Sequence, residues 1–179
     1  MRILYTLVIF FLTAQTAWAD GKTDMNAGSN ALRLGNFAEA VTYLTRAINS
    51  EMFRGEASAA MLISRGQAYY HLQEYQHAII DLTVAIESGD INNTLLGIAL
   101  ATRASCQRML GNFTNAIHDF NGAINIGTNN DKMFFHRGLA LQQSGQIIKA
   151  IKDFKTAYKM VPTNTIYEEK LTELGESID

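Results

Sequence analysis

The stretch LGNFAEAVTYLTRAI, residues 34–48, recurs 76 positions later as LGNFTNAIHDFNGAI, residues 110–124. Two more copies of the same pattern are LQEYQHAIIDLTVAI, residues 72–86, and SGQIIKAIKDFKTAY, residues 144–158. Aligned on their turn residues, the four copies are spaced by 38, 38 and 34 positions: Gly35, Gln73, Gly111 and Gly145. A regular repeat of this length indicates one small structural unit used four times.

Each copy places small and large apolar residues at intervals of three and four. The first alanine is followed by a large apolar residue and then by a second alanine, as in Ala40, Leu44 and Ala47. These intervals put all three side chains on one face of a helix. The corresponding residues of the later copies are Ala78, Leu82, Ala85; Ala116, Phe120, Ala123; and Ala150, Phe154, Ala157. The pattern predicts an amphipathic helix after each turn, with alanines that let a neighbouring helix approach closely.

A second helical stretch precedes each turn and carries a small residue seven positions before it: Gly28, Gly66, Ala104 and Gly138. Each unit is therefore predicted to be helix, tight turn, helix. This pattern resembles the tetratricopeptide repeat, including the proline that ends the fourth copy, Pro162. The resemblance implies an all-α, right-handed solenoid of four repeats over residues 21–54, 59–92, 97–130 and 131–164.

The segment after Pro162 is predicted to form a C-terminal capping helix within residues 165–179. Thr165 and Glu168 have the spacing of a capping box. Tyr167, Leu171 and Leu174 form one apolar stripe on a helix. A terminal helix of this kind covers the face that a further repeat would otherwise bury.

Residues 1–19 have the features of a secretory signal peptide. Arg2 precedes the apolar run from Ile3 to Leu12, and a small-x-small cleavage site leads to cleavage between Ala19 and Asp20. The alternative is an uncleaved membrane anchor, but the run is shorter than the ~20 residues that a spanning helix needs. We therefore expect a periplasmic or secreted protein that contacts a membrane only if the signal is retained.

Composition argues against several function classes. The whole chain has 15 basic and 17 acidic side chains, and loss of Arg2 with the signal changes the balance from −2 to −3. This is not the charge of a nucleic-acid-binding protein. The single cysteine, Cys106, cannot form an intrachain disulfide, and its place in a helical pattern favours a buried thiol. No metal-ligand or catalytic motif is visible, so we expect no enzyme activity, cofactor, metal or small-molecule substrate.

Charged residues also follow the repeat. Arginines share one register in the last three units, and aspartates share a second register sixteen residues later; unit one has Ala27 and Tyr43 there and loses both charges together. The arginines could form a row for acidic ligands, but the paired loss favours structural ion pairs. The predicted pairs are Arg65 with Asp81, Arg103 with Asp119, and Arg137 with Asp153.

The family resemblance implies that the first helix of each repeat lines a concave groove. Twelve residues are assigned to a partner-binding surface on this basis: Met25, Leu32, Ile63, Gln67, Tyr70, His71, Ile98, Arg108, Met109, Lys132, Phe135 and Leu139. Some family members hold a terminal carboxylate with a clamp of lysines and asparagines, and only Lys132 matches it. An alternative for the apolar members is that they belong to the core.

The function implied is a non-enzymatic adaptor or scaffold that binds a peptide or helix of a protein partner in this groove. The mixed apolar and polar lining suits such a segment. A second hypothesis is a self-associating structural component of a cell-envelope assembly, in which one copy fills the groove or covers the end of another. Light scattering would separate the two.

Overall fold

The computed structural model describes residues 20–177, and within this range the regular structure is entirely helical. The predicted signal peptide and its cleavage site at Ala19 lie outside the described residues. Residues 20–33 are helical and are labelled α1. The later helices follow in order: α2 (Phe37–Asn49), α3 (Glu56–His71), α4 (Tyr75–Glu87), α5 (Asn93–Met109), α6 (Phe113–Asn125), α7 (Asp131–Gln143), α8 (Ile147–Met160) and α9 (Thr165–Glu173).

The chain divides into two compact units after Ile91. The N-terminal unit contains α1 to α4, and the C-terminal unit contains α5 to α9. Each consists of helical hairpins in which consecutive helices pack together, α3 on α4, α5 on α6 and α7 on α8. Helix α9 packs on α8, as expected for a capping helix.

All four tight turns close the preceding helix with the same pair of backbone hydrogen bonds. In the first, the Gly35 amide donates to the Leu32 carbonyl and the Asn36 amide donates to the Ala31 carbonyl. This is the Schellman arrangement, which needs a residue with positive φ after the helix. Glycine supplies it three times, with φ of 78–81°, and Gln73 supplies it in the second turn with φ of 62°. The repeat of sequence is therefore a repeat of backbone conformation.

The cores are built from the recurring alanines and the large residue between them. In the N-terminal unit, Ala40, Leu44 and Ala47 are fully buried, and Ala31, Met61 and Ala68 join them. In the C-terminal unit, Phe120 and Phe154 are the largest fully buried side chains. The small residue seven positions before each turn is required by this packing: a Cβ added to Gly138 would lie 2.6 Å from Cε1 of Phe154.

Helix α9 contributes its apolar stripe to the C-terminal core. Tyr167 and Leu171 are buried, and Leu174 packs against the same cluster. The tyrosine hydroxyl donates to Oδ2 of Asp131 at 2.6 Å, which ties α9 to the start of α7. Burial, together with this hydrogen bond, raises the pKa of Tyr167 to about 12. The capping residue differs from the prediction: α9 begins at Thr165, and the side chain of Asn164 accepts from the Ile166 amide.

Candidate functional site

In each of the last three repeats, the arginine and the aspartate predicted to pair form a bidentate ion pair with a buried carboxylate. Nε of Arg103 donates to Oδ2 of Asp119 at 2.7 Å, and Nη2 of Arg103 donates to Oδ1 at 2.9 Å. Only 3% of the Asp119 side chain is exposed. The Arg65–Asp81 and Arg137–Asp153 pairs have the same geometry, with atom pairs 2.6–2.8 Å apart. Because both oxygens of each aspartate accept a hydrogen bond from the arginine, the main role of these arginines is to join the two helices of a repeat.

Two of these arginines also reach the preceding repeat. Nη1 of Arg65 donates to Oγ1 of Thr45 on α2 at 3.0 Å, and Nη1 of Arg137 donates to Oδ1 of Asn121 on α6 at 2.8 Å. Each pair therefore ties three helices together. The pKa of Arg65 is raised, chiefly by its hydrogen bonds to Asp81 and against the effect of burial.

The first repeat has an ion pair of its own, formed by residues outside the arginine and aspartate registers. Nη2 of Arg46 lies 2.7 Å from Oδ1 of Asp24, which joins α2 to α1. The guanidinium also lies over the ring of Tyr43, 4.8 Å from its centroid. The sequence contained a signal for this pair, because Asp24 and Arg46 lie one helical turn from Ala27 and Tyr43, respectively. Here the acidic residue is on the first helix and the basic residue on the second, the reverse of the later repeats.

In the N-terminal unit, the residues assigned to partner binding have very different exposures. Ile63 is only 2% exposed, so it belongs to the core and offers no surface to a partner. Met25 and Leu32 are partly buried against the core cluster. Tyr70 and Gln67 are half-buried, while His71 is exposed and stacks on Phe37 with ring centroids 4.2 Å apart.

In the C-terminal unit, Met109 and Lys132 are exposed, whereas Ile98 and Arg108 are half-buried. Phe135 is partly buried against the core, with its ring centroid 5.0 Å from that of Tyr167 and 5.6 Å from that of Phe154. Leu139 packs against the same cluster. Both residues therefore contact the core, which is the alternative given for the apolar members of this set, and a carboxylate introduced by Phe135→Asp would lie among aromatic core rings.

A cationic cluster lies on the surface shared by α5 and α7. Nη1 of Arg108 donates to Oε1 of Gln143 at 3.3 Å, and its Nη2 lies 3.5 Å from the sulfur of Met109. Among residues 20–177, neither Arg108 Nε nor His136 Nδ1 has a hydrogen-bond partner, although both atoms are buried. Burial lowers the pKa of His136, and the charges of Arg108 and Lys132 lower it further. The cluster therefore favours a neutral histidine beside two cations.

The remaining titratable residues do not assemble into a metal site within the described part of the chain, where no group of three potential ligands occurs. Cys106 is fully buried, and burial raises the pKa of its thiol to about 12. No helix within residues 20–177 is both long and apolar enough to cross a membrane.

Family models agree with this arrangement of hairpins. Two tetratricopeptide repeat models match, one over residues 25–90 and one over residues 131–164. The chain belongs to the tetratricopeptide repeat family. Its fold is the all-α solenoid class of that family, built here from repeats of two helices and a terminal helix.

Curated relatives include the protein unc-45 homolog B of mouse, 29% identical over 123 residues, and of human, 28% identical over the same length. These alignments cover 69% of this chain, but the chain spans only 13% of the length of either relative.

Solved structures with the same fold include residues 41 to the end of MamA from Desulfovibrio magneticus RS-1. It has a TM-score of 0.73 at 19% identity and covers 85% of this chain and 81% of its own. Cut9 with Hcn1, from the APC/C hetero-tetramer, has a TM-score of 0.74 at 17% identity, covering 85% and 29%. A tetratricopeptide repeat protein from Parabacteroides merdae has a TM-score of 0.66 at 21% identity, covering 83% and 56%.

Proposed function

We propose that this protein is a non-enzymatic interaction scaffold, exported through its N-terminal signal, that binds a segment of a protein partner on the inner helices of its repeats. The observation that carries the proposal is the α5–α7 surface of the C-terminal unit. There the exposed Met109 lies beside Arg108, and the charges of Arg108 and Lys132 both act on His136. No carboxylate within residues 20–177 forms an ion pair with either cation.

This surface suits a segment that combines an apolar side chain with an acidic one. Methionine adapts to the shape of an apolar anchor, and an arginine with an unpaired buried Nε gains a hydrogen bond when a carboxylate arrives. Two or three anchors, each contributing ~1.5–3 kcal/mol, less the cost of association, correspond to roughly micromolar binding. A relative identified as part of a hetero-tetramer, Cut9, is consistent with a scaffold role for the fold.

Self-association is the second candidate, and the charge of α9 favours it. The exposed residues of this helix include Glu168, Glu169 and Glu173, together with Ile166, which is 54% exposed. An acidic helix with one apolar side chain has the chemistry that the α5–α7 surface would accept from a second copy. Charge complementarity of this kind favours encounter and register more than affinity.

The experiment compares partner capture by the wild type with capture by Met109→Asp and Arg108→Gln, using quantitative pulldown from a cell-envelope or culture-supernatant fraction. Met160→Asp is the matched control, because Met160 on α8 is also 47% exposed. We expect each test variant to reduce capture of the same partner about tenfold or more, with melting temperatures near that of the wild type.

Two results would reject this assignment. One is unchanged capture by both test variants, and the other is an equal loss with Met160→Asp. Light scattering on the same proteins distinguishes the second candidate: a wild-type oligomer that becomes a monomer in Arg108→Gln identifies the partner as another copy of the chain.

A further inference from the structure

A pocket of about 370 Å³ lies on a different surface of the C-terminal unit, where α6, α7 and α8 meet. Its polar wall is formed by Asn121 of α6, Arg137 of α7, and Lys149 and Lys152 of α8, with Gln146 just before α8. It shares no residue with the Met109 surface. The binding properties of this pocket depend on which of its side chains have hydrogen-bond donors that are not already used.

Arg137 holds two N–H groups in reserve. Of the five N–H groups of a guanidinium, Nε and one on Nη2 donate to Asp153, and one on Nη1 donates to Asn121. One N–H on each terminal nitrogen has no acceptor among residues 20–177, and 19% of the side chain is exposed. Two N–H donors therefore remain on the terminal nitrogens, and a guanidinium with donors to spare suits an oxyanion.

The neighbouring side chains add donors. Because Oδ1 of Asn121 accepts from Arg137, the amide is oriented with its Nδ2 hydrogens available. Lys149 gives one hydrogen to Oε1 of Gln146 at 2.9 Å and keeps two. Lys152 is exposed and forms no ion pair in the described part of the chain. Asp153 is 5% exposed, and both of its oxygens are bound by Arg137, so it contributes little repulsion.

The charge balance points to a doubly charged ligand. Arg137 and Asp153 cancel, which leaves the two lysines and a net charge of +2 on the wall. A phosphate monoester carries about −1.5 to −2 charges at pH 7 and three terminal oxygens that accept hydrogen bonds from several directions. Ile117 and Leu141 add an apolar wall that can contact an organic substituent. We propose that this pocket binds the phosphoryl group of a small phosphate ester.

The N-terminal unit contains the same scaffold without the basic rim. Arg65 has the same two bonds to Asp81 and the same reach to the preceding repeat, through Thr45. In the matching register, however, Glu74 replaces Gln146, His77 replaces Lys149, and Ile80 replaces Lys152. Nδ1 of His77 lies 3.0 Å from Oε2 of Glu74, within hydrogen-bond distance. Ile80 is 52% exposed. The Arg–Asp pair alone therefore creates no phosphate site.

The test is an NMR titration of the full chain at low salt with inorganic phosphate, phenyl phosphate and benzoate as probes. We expect saturable amide shifts in α6, α7 and α8 with phenyl phosphate, and much weaker ones with benzoate. Tighter binding of phenyl phosphate than of inorganic phosphate identifies an ester as the ligand type. Equal binding identifies free phosphate, which contradicts the role given to Ile117 and Leu141.

The variant is Lys152→Ile, which copies the residue that the folded N-terminal unit has at this place. It should weaken phenyl phosphate binding about tenfold. Lys159→Ile, on the same helix but outside the pocket, makes the same change of charge and should have little effect. An equal loss with Lys159→Ile, shifts that map elsewhere, or no saturable shift with either phosphate probe would overturn the proposal.

Discussion

The second hairpin of the N-terminal unit, α3–α4, and the last hairpin of the C-terminal unit, α7–α8, have the same buried ion pair but different exposed residues. Inside, Arg65 and Asp81 correspond to Arg137 and Asp153, with nearly the same bond lengths. Outside, α4 presents Ile80 and Val84, both about half exposed. Helix α8 presents lysines at the corresponding side of the helix, 149, 152 and 159.

The difference shows which positions packing restrains. A side chain between two helices must match the volume and hydrogen bonds of its neighbours, so it recurs from repeat to repeat. A side chain on the outer face meets only solvent, so its identity is free to change without loss of the fold. Functional differences between the repeats are therefore expected on outer faces and on exposed parts of the first helices, and the shared interior is expected to control stability.

The largest effect should come from breaking a buried ion pair. Asp119→Ala removes the carboxylate that accepts two hydrogen bonds from the half-buried guanidinium of Arg103, at a cost of ~3–5 kcal/mol in unfolding free energy. Asp24→Ala breaks the pair with Arg46, whose side chain is 56% exposed, and should cost at most ~1 kcal/mol. Urea denaturation measures both.

The double variant Arg103→Met/Asp119→Leu is the control for this prediction. It removes both charges together, and should therefore recover much of the stability lost by Asp119→Ala. Equal costs for Asp119→Ala and Asp24→Ala would show that burial does not set the strength of these pairs.

A smaller effect should come from the small residue that faces the large core side chain. Gly138→Ala places a methyl group against the fully buried ring of Phe154 and should cost ~1–3 kcal/mol. In the third repeat, Ala104 already occupies this position, so the reverse change, Ala104→Gly, should cost ~0.5–1 kcal/mol. Thermal or urea unfolding compares the two. A stabilised Gly138→Ala would mean that the core can yield at Phe154.

The smallest effect concerns the turn of the second repeat. Gln73 adopts φ of 62°, a conformation that glycine supplies in the other three turns. Gln73→Gly removes the steric cost of a side chain there but increases the entropy of the unfolded chain, so we expect a gain of ~0.5–1 kcal/mol. Gly145→Gln is the matched reverse change and should destabilise by a similar amount. Loss of stability in Gln73→Gly would indicate that the glutamine side chain stabilises the turn.

The sequence by itself determined the local structure and the interior contacts that repeat. Helices, Schellman turns and the alanine and large apolar positions follow from periods of three and four and from the turn residues. The Arg–Asp pairs could be predicted because the arginine and the aspartate are either both present in a repeat or both absent from it. The pair formed by Asp24 and Arg46 was missed because it sits one helical turn away from that register.

Only the tertiary structure decided which side chains of a helix remain accessible. Ile63 and Met109 were assigned to the same surface, but the first is 2% exposed and the second 47%, because exposure depends on the helix that packs alongside. Phe135 became part of the core since Phe154 and Tyr167, 19 and 32 positions later, meet its ring. The phosphate pocket likewise needs donors from α6, α7 and α8, and no spacing along one helix brings them together.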